Sequence, residues 1–190
     1  KINEKTIFDP ESAYGIAKVA SHYLIKNYRD TFNFNASTGI LFNHESPRKD
    51  DRFVLRKISK SVARIKFGLQ KKIFLGDIKS KRDWGHAKDY VNAMWLINTK
   101  KKPSDYIIGS GYLNSVEDFV KKAFKHVGLN YKKYLKIDKK LIRKGESKAR
   151  LADPAKIKRV LKWKRKFTFE ELVIDMVDNE LNILKYKNKK

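Results

Sequence analysis

Cysteine is missing from all 190 residues of the chain. That excludes a disulfide framework, a thiolate metal site and a cysteine nucleophile. Glycine (9) and proline (4) are too few for a collagen-like or low-complexity chain. No apolar run approaches the ~18–20 residues that span a bilayer, and the first residues lack the charged-then-apolar form of a secretory leader. The expected location is therefore cytoplasmic, with no membrane partner. Acidic residues are scarce: 21 Asp and Glu stand against 45 Lys and Arg, a net charge of +24. Arginine is scarce too, with 10 Arg against 35 Lys. A nucleic-acid reader usually draws on Arg, whose planar fork binds phosphates and bases through two hydrogen bonds. Here Lys is spread from end to end with acids between, so a solvated basic surface is expected and nucleic acid is not an expected partner. The four histidines, His22, His44, His86 and His126, fall on separate segments without ligand spacing. No metal site is expected.

What is present is a chain of one-domain length with 41% hydrophobic residues. Asp9-Pro10-Glu11-Ser12 marks a helix start, and three- and four-residue apolar steps predict a helix over 12–28. Residues 34–42 predict a buried strand, broken by Ser46-Pro47, and 53–67 a helix with Val54, Ile58, Val62 and Ile65 on one stripe. A short strand is expected over 72–75 and a helix over 83–98, with Asp83 as its cap. Another strand is expected over 106–109, ended by Gly109-Ser110-Gly111. Ser115 with Asp118, and Thr168 with Glu171, read as capping boxes that open helices to about 127 and 185. Residues 131–137 predict a strand, and Asp153-Pro154 a capped helix to Leu161. This alternation defines an α/β fold with a mostly parallel sheet. Such sheets usually open with a strand, a glycine-rich turn and a phosphate-holding helix. Neither G-x-G-x-x-G nor G-x-x-x-x-G-K occurs in the chain.

Three constellations could carry chemistry. Tyr14 and Lys18 stand four apart, one turn from each other on one helix face. A free phenol has a pKa of ~10, and a shift of ~2–3 units makes it a usable base near neutrality. A close ammonium supplies ~1–3 units, and a bound oxidised nicotinamide adds positive charge. Such a pair suits proton transfer to or from a sugar hydroxyl while a hydride leaves the same carbon. The alternative is a packed Tyr with Lys snorkelling over it. Second, the strand ending in Phe42 delivers Asn43, His44 and Arg48 where ligands bind in open α/β sheets; these residues suit an amide, ribose or phosphate, or simply a well-bonded loop. Third, Arg82 beside the expected cap Asp83 suits a diphosphate, whereas Trp84 and Tyr90 read as core. Arg143 and Glu146 flank a later loop, as a phosphate and ribose-diol grip or as a surface ion pair.

Taken together, the Tyr-x-x-x-Lys helix, GILFNHESPR, FVLRKISKSV and KRDWGHAKDYVNAMW closely resemble the GDP-mannose 4,6-dehydratases, within the extended short-chain dehydrogenase/reductase family. The order is unchanged from about Glu4 to Leu184. The resemblance implies the C-terminal part of a Rossmann-like parallel sheet with a small α/β substrate-binding domain. Residues 1–110 would carry the C-terminal half of the NADP-binding domain with an interleaved substrate-binding helix, and 111–190 mainly the sugar-nucleotide-binding portion. It implies an NADP cofactor, reduced and reoxidised in one turnover, and GDP-mannose as substrate. The C4 hydroxyl is oxidised, water is lost across C5 and C6, and the hydride returns at C6, giving GDP-4-dehydro-6-deoxy-mannose for GDP-fucose and related deoxysugars. Tyr14 matches the family's acid/base, and Lys18 the ribose-binding Lys that depresses the Tyr pKa. His44 matches a cofactor contact, as does Lys49, where the family has Arg. Asn43, Lys57, Arg82, Arg143 and Glu146 match positions for the GDP-sugar. The intact family is expected to be a homo-oligomer.

The family's glycine-rich loop, its Ser/Thr on the reacting hydroxyl and its Glu base for the C5 proton have no counterpart in these 190 residues. The expectation is a C-terminal portion that is inactive alone. Two other readings stay open: a related nucleotide-sugar epimerase or reductase, and a basic module that binds polyanions and would lose affinity steeply with salt.

Overall fold

Ser12 opens the first helix: its Oγ accepts the Gly15 N–H at 3.1 Å. The computed structural model describes residues 1–142 and 149–187. Helix α1 (Ala13–Phe32) ends at Asn33, which takes the left-handed conformation that an Asn tolerates. The expected strand over 34–42 shortens to β1 (Gly39–Leu41), and a second strand, β2 (Asn43–Glu45), follows after Phe42. Helix α2 (Val54–Lys66) buries Leu55, Ile58, Val62 and Ile65, three of them on the stripe read from the sequence. Strand β3 (Ile73–Leu75) alternates buried and exposed residues.

The segment after Gly76 departs from expectation. The helix predicted over 83–98 begins only at Ala87 (α3, Ala87–Asn98), with His86 as its cap. Before it lie two short strands, β4 (Lys81–Arg82) and β5 (Trp84–His86). Asp83 caps no helix. It is buried and accepts the backbone N–H groups of Ser110 (2.7 Å), Gly111 (2.9 Å) and Ala152 (3.1 Å). The reason is tertiary: one carboxylate satisfies three donors from two distant segments. Trp84 and Tyr90 are core, as expected.

Strand β6 (Tyr106–Ile108) precedes β7 (Asn114–Ser115) and α4 (Val116–His126). The Ser115–Asp118 capping box is present. The strand expected over 131–137 is half a 3-10 turn (Tyr131–Lys133) and half β8 (Leu135–Ile137). Helix α5 (Ala155–Leu161) starts after Pro154 with no side-chain cap at that residue, although Asp153 Oδ1 accepts the Ala155 N–H at 3.1 Å. Helix α6 (Phe169–Lys187) opens on the predicted box, Thr168 N–H to Glu171 at 2.7 Å and Glu171 N–H to Thr168 Oγ1 at 3.2 Å.

The pairs β1–β6, β2–β5 and β3–β8 are parallel, and β4–β7 is antiparallel. Among the described residues two apolar cores form. One joins α2, α4, α6, β3 and Trp84. The other gathers Tyr90, Ala93 and Ile97 of α3, Tyr106 and Ile108 of β6, Ile157 and Leu161 of α5, and Trp163. An ion pair between half-buried Arg56 and buried Glu180 ties α2 to α6. Helix α1 has no buried residue; it exposes Tyr14, Ile16, Tyr23, Leu24, Tyr28 and Phe32. Arg29 tethers it through a two-pronged pair with Asp105, at 2.8 and 3.1 Å.

Candidate functional site

Strand alternation decides which residues of the Asn43-His44-Glu45 segment share a face. Asn43 and Glu45, two apart, both line a cleft of about 730 Å³. Lys57 from α2, Arg82 from β4 and Trp84 from β5 line it too, with Phe53 and Leu75 supplying apolar wall. The cleft runs along one face of a parallel strand pair: Asn43 and Trp84, opposite each other in register, both line it, as does Glu45. Lys57 Nζ donates to the Phe74 carbonyl at 2.9 Å, and Arg82 Nη1 to the Lys81 carbonyl at 2.7 Å. Three cations, Arg52, Lys57 and Arg82, outnumber the two acids, Glu45 and Asp77, and with the Asn43 amide they suit a phosphorylated ligand.

His44, between Asn43 and Glu45 in sequence, is not in the cleft lining. Its Nδ1 donates to the Phe42 carbonyl at 3.0 Å, and its ring lies 5.0 Å from that of Tyr90. Tyr90 in turn donates to the Asn43 carbonyl at 3.3 Å. Burial, with Asp83 and Asp89 nearby, pushes the Tyr90 phenol up, so it stays a donor. Lys49 folds back over the loop: its amine donates to the His44 carbonyl at 3.2 Å, stands 3.6 Å from Glu45 Oε1 and lies 4.2 Å from the centre of the Phe53 ring.

Tyr14 and Lys18 lie apart from the cleft lining, on the open face of α1. The Tyr14 side chain is 74% exposed, and the Lys18 ammonium stands 5.5 Å from the centre of its ring. The phenol is therefore not packed into hydrocarbon, and the two groups lie within side-chain reach. Arg143 and Glu146 lie outside the described residues. The structure thus gathers Asn43, Lys57 and Arg82 into one cleft, and Tyr14 with Lys18 on one helix face.

Glu45 was not among the residues singled out in sequence. It is 4% exposed, and burial pushes its carboxyl up to about 7 although Lys49 works in the opposite direction. The signal available was the period of two, which places it beside Asn43. Among the described residues no group of three His, Asp or Glu side chains could hold a metal ion, and no helix is long and apolar enough to cross a membrane.

Among solved structures, the chain is similar to RMD from Pseudomonas aeruginosa complexed with NADPH (TM-score 0.88, 21% identity, covering 96% of this chain and 60% of that one). It is also similar to the dTDP-glucose 4,6-dehydratase of Bacillus anthracis in complex with NAD (TM-score 0.84, 21% identity, covering all of this chain and 59% of that one). The chain shares the fold of the matching part of these structures, a Rossmann-like α/β fold. A family model described as GDP-mannose 4,6 dehydratase matches residues 1–176, and the chain belongs to that family. It is 46% identical over 183 residues to GDP-mannose 4,6 dehydratase 1 of Arabidopsis thaliana, covering 96% of this chain and 51% of that protein. It is 40% identical over 199 residues to the human GDP-mannose 4,6 dehydratase, covering 96% and 54%. The chain spans about half the length of these curated relatives.

Proposed function

We propose that the chain forms the sugar-nucleotide cleft and the Tyr–Lys part of a GDP-mannose 4,6-dehydratase, a hydro-lyase that forms GDP-4-dehydro-6-deoxy-mannose. The observation that carries this is the convergence of Asn43, Lys57 and Arg82 on one cleft. In this proposal Lys57 and Arg82 neutralise the diphosphate and Asn43 orients it. Arg143 and Glu146 belong to the same GDP-sugar set by family resemblance.

Tyr14 is proposed as the group that takes the proton from the C4 hydroxyl, with Lys18 holding positive charge beside it. A nicotinamide cofactor fits this face: the phenol is open, and the ammonium over its ring can reach a ribose. Bound there, the cofactor supplies hydride acceptance and return. NADP is the finer proposal, supported by the NADPH in the Pseudomonas structure, while the Bacillus structure carries NAD. His44 and Lys49 are proposed cofactor contacts. The proposal keeps a division near residue 110, with α2 interleaved, a cytoplasmic setting and assembly into a homo-oligomer.

The test is calorimetric titration of the purified chain with GDP-mannose and GDP at two salt concentrations. Saturable binding that GDP competes for, with little salt dependence, supports the proposal. Binding to any polyanion that collapses with salt would instead favour the basic module. Incubation with NADP and GDP-mannose, with any sugar product identified, tests the reaction, and turnover would overturn the expectation that the chain is inactive alone. An epimerised or reduced product would overturn the dehydratase assignment.

A further inference from the structure

Several buried polar atoms have no hydrogen-bond partner among the described residues: His22 Nδ1, Thr38 Oγ1, Glu45 Oε2, Arg56 Nε and Nη1, and Glu180 Oε1. Arg56 and Glu180 face each other as an ion pair, so their charges are answered. His22 and Thr38 do not line the cleft. Glu45 alone of this group does, and it does so at 4% exposure. Its Oε1 faces Lys49 Nζ at 3.6 Å, beyond a good hydrogen bond, and its Oε2 faces no donor. A buried carboxyl with an unanswered oxygen is costly, and such groups concentrate where a ligand supplies the missing partner.

The chemistry of that partner follows from charge. A carboxylate repels phosphate, and the cleft already has Lys57 and Arg82 for an anion. In a cleft whose cations hold a diphosphate, the donor left for Glu45 is a hydroxyl of the attached sugar. We propose that Glu45 determines specificity in the cleft, its Oε2 pairing with a hydroxyl of the hexose and so separating glycosylated from bare nucleotide. Its place two residues from Asn43 on one strand face puts sugar recognition next to diphosphate recognition. This rests on the sugar-nucleotide reading above.

The experiment measures Kd for GDP and for GDP-mannose with the unaltered chain, Glu45→Gln and Glu45→Leu. Glu45→Leu is expected to weaken GDP-mannose by about tenfold or more while GDP stays within about twofold; Glu45→Gln, which keeps an acceptor but not the charge, falls between. If both ligands weaken by the same factor, Glu45 only shapes the cleft and the inference is overturned. Unchanged affinities for both overturn it as well. If the unaltered chain binds neither ligand, the sugar-nucleotide reading itself fails. Glu45→Gln is nearly isosteric, so it keeps the comparison available should Glu45→Leu not fold.

Discussion

Tyr90 donates its hydroxyl to the carbonyl of Asn43 at 3.3 Å, joining α3 to the strand that carries the cleft across 47 residues of sequence. The ring reaches that carbonyl because Gly85 has no side chain: a Cβ there would lie 2.4 Å from Tyr90 Cε2. Gly85→Ala therefore forces the buried ring to move and strains β5. A cost of about 1–3 kcal/mol is expected from overpacking. Urea unfolding checks it, with Tyr90→Phe expected to cost only about 1 kcal/mol for the lost hydrogen bond. If Gly85→Ala costs no more than Tyr90→Phe, the ring is not confined as described.

Asp83 is the hub of the turn that ends β6. Its two oxygens accept N–H groups from Ser110, Gly111 and Ala152. In Asp83→Asn one oxygen becomes an amide donor facing backbone donors, and a buried N–H loses its partner. The expected loss is about 2–4 kcal/mol, or about 5–12 °C in Tm for a chain of this size. Calorimetry checks it, and a shift under about 2 °C would show that the three bonds contribute little.

These two cases mark what was legible in the sequence. The capping boxes at Ser115 and Thr168 are local devices, complete within four residues, and they form as predicted. The α2 stripe was legible because burial on one helix face leaves its period in the residues. Asp83 looked like a cap because an acid before an apolar run usually is one; its actual partners lie 27, 28 and 69 residues away, and no local pattern encodes them. The same holds for the cleft. GILFNHESPR and KRDWGHAKDY pointed to Asn43 and Arg82 through resemblance, and the period of two sets Glu45 on the Asn43 face, yet the meeting of that face with Lys57 of α2 and Arg82 of β4 emerges only in the fold. His44 and Lys49 matched motif positions, but their bonds to the Phe42 and His44 carbonyls required coordinates.

Glu45 predicts a pH dependence of stability. Burial raises its carboxyl from 4.5 to about 7, and the nearby Lys49 ammonium only partly opposes this. The folded state therefore holds a proton that the unfolded chain has released. Its contribution is fully present below about pH 4.5 and is lost as pH rises through about 7. The span corresponds to about 3 kcal/mol at most. Other groups titrate as well, so the measurement is the difference in urea midpoint between Glu45→Gln and the unaltered chain. The variant should gain relative stability between about pH 5 and 8, and a flat difference would show that the carboxyl is not perturbed by burial.

Tyr14 and Lys18 give the opposite expectation, because function and stability separate there. Tyr14 is 74% exposed, and the helix that carries both residues has no buried position. Tyr14→Phe and Lys18→Ala should each stay within about 0.5 kcal/mol of the unaltered stability. Neither residue lines the cleft, so affinity for GDP should also stay unchanged. Where dehydration of GDP-mannose is measurable, Tyr14→Phe should lower kcat by about 10²–10⁴-fold, since it removes the proton-transfer group and leaves the ring. Lys57→Ala and Arg82→Ala should show the reverse, weaker nucleotide binding first. If Tyr14→Phe loses stability and keeps its rate, the phenol is a packing residue of α1 and the proton must move through another group.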